Sequence, residues 1–169
     1  LDGLNDNDGT LTIATTNFSE TKILASMYQQ VLEANGVDAS IKELTTREVI
    51  VPALEKGEVQ LTPEYLGSLT EFLNKEVNGA DAEQLATGDV DATFTAVTPL
   101  AEQQGLTLLT PSPAQDQNAF AVTADFASQN SLQSLTQLGE YSQANPITLG
   151  GPPECPKRPF CQPGLEQTY

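Results

Sequence analysis

A chain of 169 residues, 38% of them hydrophobic, can bury a real core as one domain or two small lobes, and no run approaches the roughly 18 apolar residues of a membrane span. Its 23 acidic residues against 7 basic ones give a formal net charge of -16, a surface that repels phosphate backbones and anionic lipid headgroups and so excludes nucleic acid and direct membrane adhesion as partners. The chain has no His, which removes the side chain best suited to proton transfer near neutral pH and excludes Ser-His-Asp and Cys-His catalysis and His-bearing zinc sites.

The opening nine residues, Leu-Asp-Gly-Leu-Asn-Asp-Asn-Asp-Gly, are polar and rich in turn formers, show no signal peptide and suit the start of a mature or trimmed exported protein. Residues 10–15 alternate apolar and small polar side chains, as a strand with one face on a core does. Asn17 with Glu20 reads as a capping box, and Ile23, Leu24, Met27, Tyr28, Val31 and Leu32 keep helical spacing until Asn35 and Gly36 stop them. Residues 39–44 predict a second strand. Thr45 with Glu48 offers a second box, opening a helix over 49–56 in which Pro52 must sit in the first turn or bend the helix.

Residues 59–62 predict a third short strand and 66–73 a helix, followed by a polar stretch over 74–84. A helix over 92–104 ends at Gly105, and 106–109 predicts a strand. Residues 110–118, with two prolines and no apolar periodicity, are the best candidate for an interlobe crossover. Beyond it, a strand over 119–122, a helix near 132–138 and a strand over 147–149 would begin a second lobe. The alternation of strand and helix argues for an α/β architecture with helices covering a largely parallel sheet.

Cys155 and Cys161 are separated by five residues, two of them proline, in a short constrained loop of the kind a disulfide closes. Two free thiols or a metal site are the alternatives. A disulfide would imply an oxidising compartment outside the cytosol.

Four segments occur in an order and spacing that resemble the glycine betaine, choline and carnitine receptors of osmoprotectant ABC importers. Residues 14–20 (Ala-Thr-Thr-Asn-Phe-Ser-Glu) parallel the family's S-K-N-F-T-E, and 46–54 (Thr-Arg-Glu-Val-Ile-Val-Pro-Ala-Leu) follow. Residues 62–68 (Thr-Pro-Glu-Tyr-Leu-Gly-Ser) are close to the family's Y-P-E-Y-T-G-T, and 150–154 (Gly-Gly-Pro-Pro-Glu) continue to Pro163-Gly164-Leu165. The resemblance covers essentially the whole chain.

It implies a two-lobed, periplasmic-binding-protein-like α/β fold of type II with ligand held between the lobes, and no cofactor or catalysis. It also implies a first lobe over 1–109, the crossover over 110–118, and over 119–169 the start of a second lobe that family members continue past the equivalent of Tyr169. On that basis the chain is expected to be a fragment that binds ligand poorly alone. The function implied is an extracellular or periplasmic lipoprotein-like receptor, tethered to the outer face of the cell membrane, that delivers a small zwitterionic or cationic solute to an ABC permease. Its contact with the membrane is limited to a lipid anchor or the permease. A ligand-sensing domain of the same fold, a receptor for a different solute, and an enzyme using paired carboxylates are the competing readings, the last needing two carboxylates about 5 to 9.5 Å apart in a groove.

The resemblance assigns roles to individual residues. A quaternary ammonium donates no hydrogen bonds and is held by electron-rich ring faces. Tyr65 falls where the family supplies one wall of that aromatic box. Asp116 matches its acidic crossover residue, while Asn118 replaces a second cage tyrosine, with Phe120 two residues along. Arg158 matches the family arginine for a ligand carboxylate, in the loop that a Cys155–Cys161 bond would shape, and an exposed surface role is its alternative. Ser68 stands at a family hydroxyl position, and Thr16 replaces a family lysine. The changes at Thr16 and Asn118 weaken the case for a carboxylate-bearing ligand and leave a choline-like cation or a more hydroxylated solute open.

Overall fold

A computed structural model describes residues 9–169, so the polar opening read from the sequence lies outside the described residues. The chain divides into two compact units with the boundary between Pro111 and Ser112.

In the first unit, strand β1 (Leu11–Thr15) leads into helix α1 (Ser19–Ala34), strand β2 (Ala39–Glu43) and helix α2 (Arg47–Glu55). Helices α3 (Leu66–Asn78) and α4 (Val90–Gln103) complete the regular structure. β1 and β2 pair in parallel with Leu11 opposite Ala39 and Thr15 opposite Glu43, and Ile13 forms a parallel bridge to Leu61. β1 is therefore central. The Gln60 and Leu61 amides donate to the Thr12 carbonyl, and the Ala14 amide donates to the Leu61 carbonyl.

All five residues of β1 are buried, which corrects the expectation of a strand with one covered face. Successive side chains of a strand point to opposite faces, and here both faces are covered. Leu11 and Ile13 pack with Ala25 of α1, while Ala14 packs with Ile50 and Ala53 of α2. The threonines between them satisfy their hydroxyls locally, Thr12 Oγ1 lying 3.3 Å from Ser40 Oγ. This covering of a parallel sheet by helices on both sides is the α/β architecture expected from the alternation of elements.

A third cluster joins α2, α3 and α4 through Val51, Leu69, Leu73, Val97, Leu100 and Ala101. Leu106 and Leu108 pack against it. The strand expected over 106–109 does not form, because its alternation delivers those leucines to the core without a partner strand for its backbone. The strand expected over 59–62 likewise reduces to the single bridge at Leu61. α3 runs five residues past the expected end, into the polar stretch, and Asn74 is buried there with its Nδ2 donating 2.8 Å to the Glu83 carbonyl.

The first two helices do not start at the expected caps, Asn17 and Thr45. α1 is capped at Phe18 and α2 at Thr46, each without a side-chain cap bond. Just before α1 the Thr16 hydroxyl accepts from the Phe18 amide at 3.3 Å. Pro52 stands beyond the first turn of α2, where the helix forgoes one hydrogen bond. Gly105 does stop α4, at φ 70°, a left-handed conformation that favours glycine.

The second unit is built from helices α5 (Ala124–Gln129), α6 (Leu135–Ala144) and α7 (Gln162–Thr168), with a 3-10 turn over Cys155–Lys157. α5 is an element the sequence reading missed, although Thr123 signals it by accepting from the Phe126 amide at 3.2 Å. Ser134 caps α6 in the same way, so this helix starts later than expected. Phe126 and Tyr141 meet edge to face with ring centroids 5.5 Å apart. The strands expected over 119–122 and 147–149 are absent, since extended chain becomes sheet only where another strand accepts its hydrogen bonds.

The segment between α3 and α4 has no regular structure, so its amides need partners from elsewhere. Buried Glu71 of α3 supplies them, Oε1 accepting from Leu85 N at 2.9 Å and Ala86 N at 2.7 Å. Glu71→Ala is expected to lower stability by about 2 to 4 kcal/mol, because it strands two inward amides. Chemical denaturation followed by circular dichroism measures this, and a midpoint equal to wild type would show that water replaces the carboxylate.

Candidate ligand-binding site

The parallel pairing of β1 with β2 and with Leu61 puts three strand-to-helix turns at one edge of the sheet, the carboxyl ends of the strands. α1, α2 and α3 all begin there. Open α/β sheets offer ligands a place at this edge, and the first turn of each helix brings amides and the positive end of its dipole. Thr16, Tyr65 and Ser68, the three first-unit residues expected to meet ligand, all belong to these turns.

Thr16 follows β1 directly, and its Oγ1 lies 2.8 Å from Thr21 Oγ1. Tyr65 is the N-cap residue of α3, half-buried, with its hydroxyl oxygen buried. Its carbonyl accepts from the Leu69 amide at 2.9 Å. Ser68 lies in the first turn of α3 and is half-buried.

Behind Tyr65 stands an ion pair that sequence reasoning did not single out, although both members lie in the quoted motifs. Arg47, the first residue of α2, donates from Nε to Glu64 Oε1 at 2.8 Å and from its terminal nitrogen to Glu64 Oε2 at 2.6 Å. The two side chains are only 9% and 14% exposed. Glu64 Oε2 also accepts from the Tyr65 amide at 2.9 Å. The available signal was a basic residue within a chain that has only 7, placed where a helix starts and facing a motif glutamate.

In the second unit, Asp116 and Asn118 are exposed, and Phe120 is half-buried. Asn118 Nδ2 donates to the Phe160 carbonyl at 3.2 Å, which ties Asn118 to the cysteine loop. That loop is closed by a Cys155–Cys161 disulfide, so the free-thiol and metal-site alternatives fall away. Arg158, exposed on the loop, faces Glu154 with its terminal nitrogen 3.5 Å from Oε1. A cavity of about 200 Å³ beside the disulfide is walled by Pro152, Pro153 and Pro156, and the expected ligand residues do not line it. Among the described residues, no cluster of His, Cys, Asp and Glu could hold a metal ion.

Residues 9–169 match the family described as the substrate-binding domain of the ABC-type glycine betaine transport system. The chain belongs to that family. A member of it binds solute and catalyses nothing, so the paired-carboxylate enzyme is discarded. The domain is 32% identical over 154 residues to the glycine betaine-binding protein YehZ of Escherichia coli K12, covering 89% of this chain and 48% of that protein. It is 28% identical over 141 residues to a glycine-betaine-binding protein of Pseudomonas aeruginosa, covering 81% of this chain and 43% of the other. The solved structure of apo YehZ from Escherichia coli matches with a TM-score of 0.58 at 29% identity, over 95% of this chain and 56% of that one. The periplasmic-binding-protein fold expected from the sequence is thus the fold of this domain, and the chain spans about half the length of the relatives it matches.

The disulfide closes a ring around the Lys157–Arg158 bond. Alkylation of the native domain, read by mass before and after reduction, is expected to label no cysteine until reductant is added. Tryptic cleavage after Lys157 is expected to speed up on reduction, and an unchanged rate would show that the prolines alone hold the loop.

Proposed function

We propose that the domain forms part of an extracytoplasmic receptor that captures glycine betaine or a related quaternary-ammonium solute and hands it to an ABC permease. The observation that carries this reading is the family match across residues 9–169 with Tyr65 inside it, at the carboxyl edge of the sheet. In this reading the ring of Tyr65 forms a wall against which the trimethylammonium group rests, a contact worth roughly 0.5 to 2 kcal/mol. Ser68 and the amides opening α1 and α3 would meet the polar end of the solute. Asp116 would supply charge compensation to the cation, and Arg158 a guanidinium for a carboxylate. An export route is supported by the disulfide, which persists in oxidising compartments. Among the described residues, no helix is long and apolar enough to cross a membrane.

A second ligand reading is favoured by two particular contacts. Thr16 replaces the family lysine and pairs with Thr21, while Arg158 already faces Glu154. Both reduce the cationic charge offered to a carboxylate. A choline-like cation, which has none, would lose less by this than glycine betaine or carnitine.

Calorimetric titration with glycine betaine, choline, carnitine and ergothioneine separates these readings, and the absence of micromolar binding by a version of the domain extended to the length of its relatives would sink the osmolyte assignment. In that protein, Tyr65→Ala is expected to weaken binding of a quaternary ammonium by roughly 1 to 3 kcal/mol and Tyr65→Phe by less, because the ring face supplies the attraction. Equal losses would point to the hydroxyl instead.

A further inference from the structure

We infer that Arg47 and Glu64 act as one positioning device for Tyr65, which fixes the start of α3 so that the tyrosine ring is held ready before ligand arrives. The inference rests on the reading of Tyr65 as a ligand-binding wall. Its physical basis is the fork formed at Glu64. Both carboxylate oxygens are engaged by the guanidinium, and the oxygen nearer to Tyr65 also accepts that residue's amide. A carboxylate gripped in this planar, two-bond manner has little freedom left. The amide it accepts is fixed with it.

The grip is anchored in turn. Arg47 is the first residue of α2, whose Ile50, Val51 and Ala53 are buried in the core clusters. On the other side, the Tyr65 carbonyl is committed to the first helical bond of α3. Both backbone groups of Tyr65 are therefore tied, one to α2 through two charged side chains and one to α3. Stability alone does not call for this arrangement, because a buried ion pair is often replaceable by apolar side chains of similar volume at no loss. An apolar pair could fill the space, but it could not accept the Tyr65 amide. That difference is what separates a positioning role from a packing role.

The test uses two variants that break the fork by different means, each first checked by circular dichroism for the wild-type fold. Glu64→Gln preserves shape and removes the charge, and the double variant Arg47→Met with Glu64→Leu substitutes an apolar pair. In ligand-free protein labelled at tyrosine, both are expected to broaden or double the Tyr65 ring resonances and to speed hydrogen exchange at the Tyr65 amide. Tyr28 in α1 and Tyr141 in α6 serve as internal controls and are expected to stay unchanged. In titrations with glycine betaine, Glu64→Gln is expected to weaken binding about tenfold when Tyr65 is present and to add nothing in a Tyr65→Ala background. Wild-type Tyr65 signals in both variants, or the same loss of affinity in both backgrounds, would overturn the inference. Should the wild-type protein bind no quaternary ammonium, the proposed function would fall, while the ligand-free measurements would still decide whether the pair positions Tyr65.

Discussion

A guanidinium and a carboxylate taken out of water must recover the lost hydration from each other and from nearby hydrogen bonds, and the Arg47–Glu64 pair does so with two direct bonds and one backbone amide. The pair joins segments 17 residues apart and sets the start of α3 against the start of α2. From there α3 carries Leu69 and Leu73 into the cluster shared with α4, and Glu71 onto the amides that hold the following irregular segment. Breaking such a pair from one side is costly, about 3 to 5 kcal/mol where the remaining charge stays buried. Packing, helix entry and the placement of Tyr65 thus share one electrostatic constraint.

The helices of the first unit were legible because their apolar residues recur at helical spacing, although in α1 Ile23, Met27, Tyr28 and Val31 are exposed and the buried residues are Thr21 and Ala25. α1, α2, α3 and α4 follow from that signal, as do β1 and β2 from their alternation. What the signal does not contain is a partner. Residues 106–109 alternate as well as β1 does, yet only β1 lies between two segments able to accept its hydrogen bonds. The same gap explains residues 119–122 and 147–149. The caps were not legible either: Asn17 has the right side chain for the role, but the N-cap of α1 falls one residue later, at Phe18, which has no side chain able to accept a backbone amide.

The candidate ligand residues became visible through their resemblance to a family and not through periodicity, since a lone tyrosine before a helix has nothing in its own sequence that separates a ligand wall from a core edge. The Arg47–Glu64 pair was hidden differently. Each residue sits in a motif, but the pairing exists only once two strand-to-helix turns lie side by side, and that adjacency is a property of the parallel sheet. The link from Asn118 to the Phe160 carbonyl, across 42 residues, was likewise beyond any local pattern. The cysteine spacing was the exception, because a loop of five residues with two prolines is already bent enough for its ends to meet.

The three helices that begin at the carboxyl edge of the sheet contribute, through their dipoles, a positive potential at that edge of an acidic molecule. That potential comes from peptide dipoles, which have no proton to gain or lose. With no His in the chain, nothing with an ordinary titration midpoint near neutrality competes with them. That share of the field at this edge is therefore built into the backbone and persists while the surroundings move between mildly acidic and mildly alkaline.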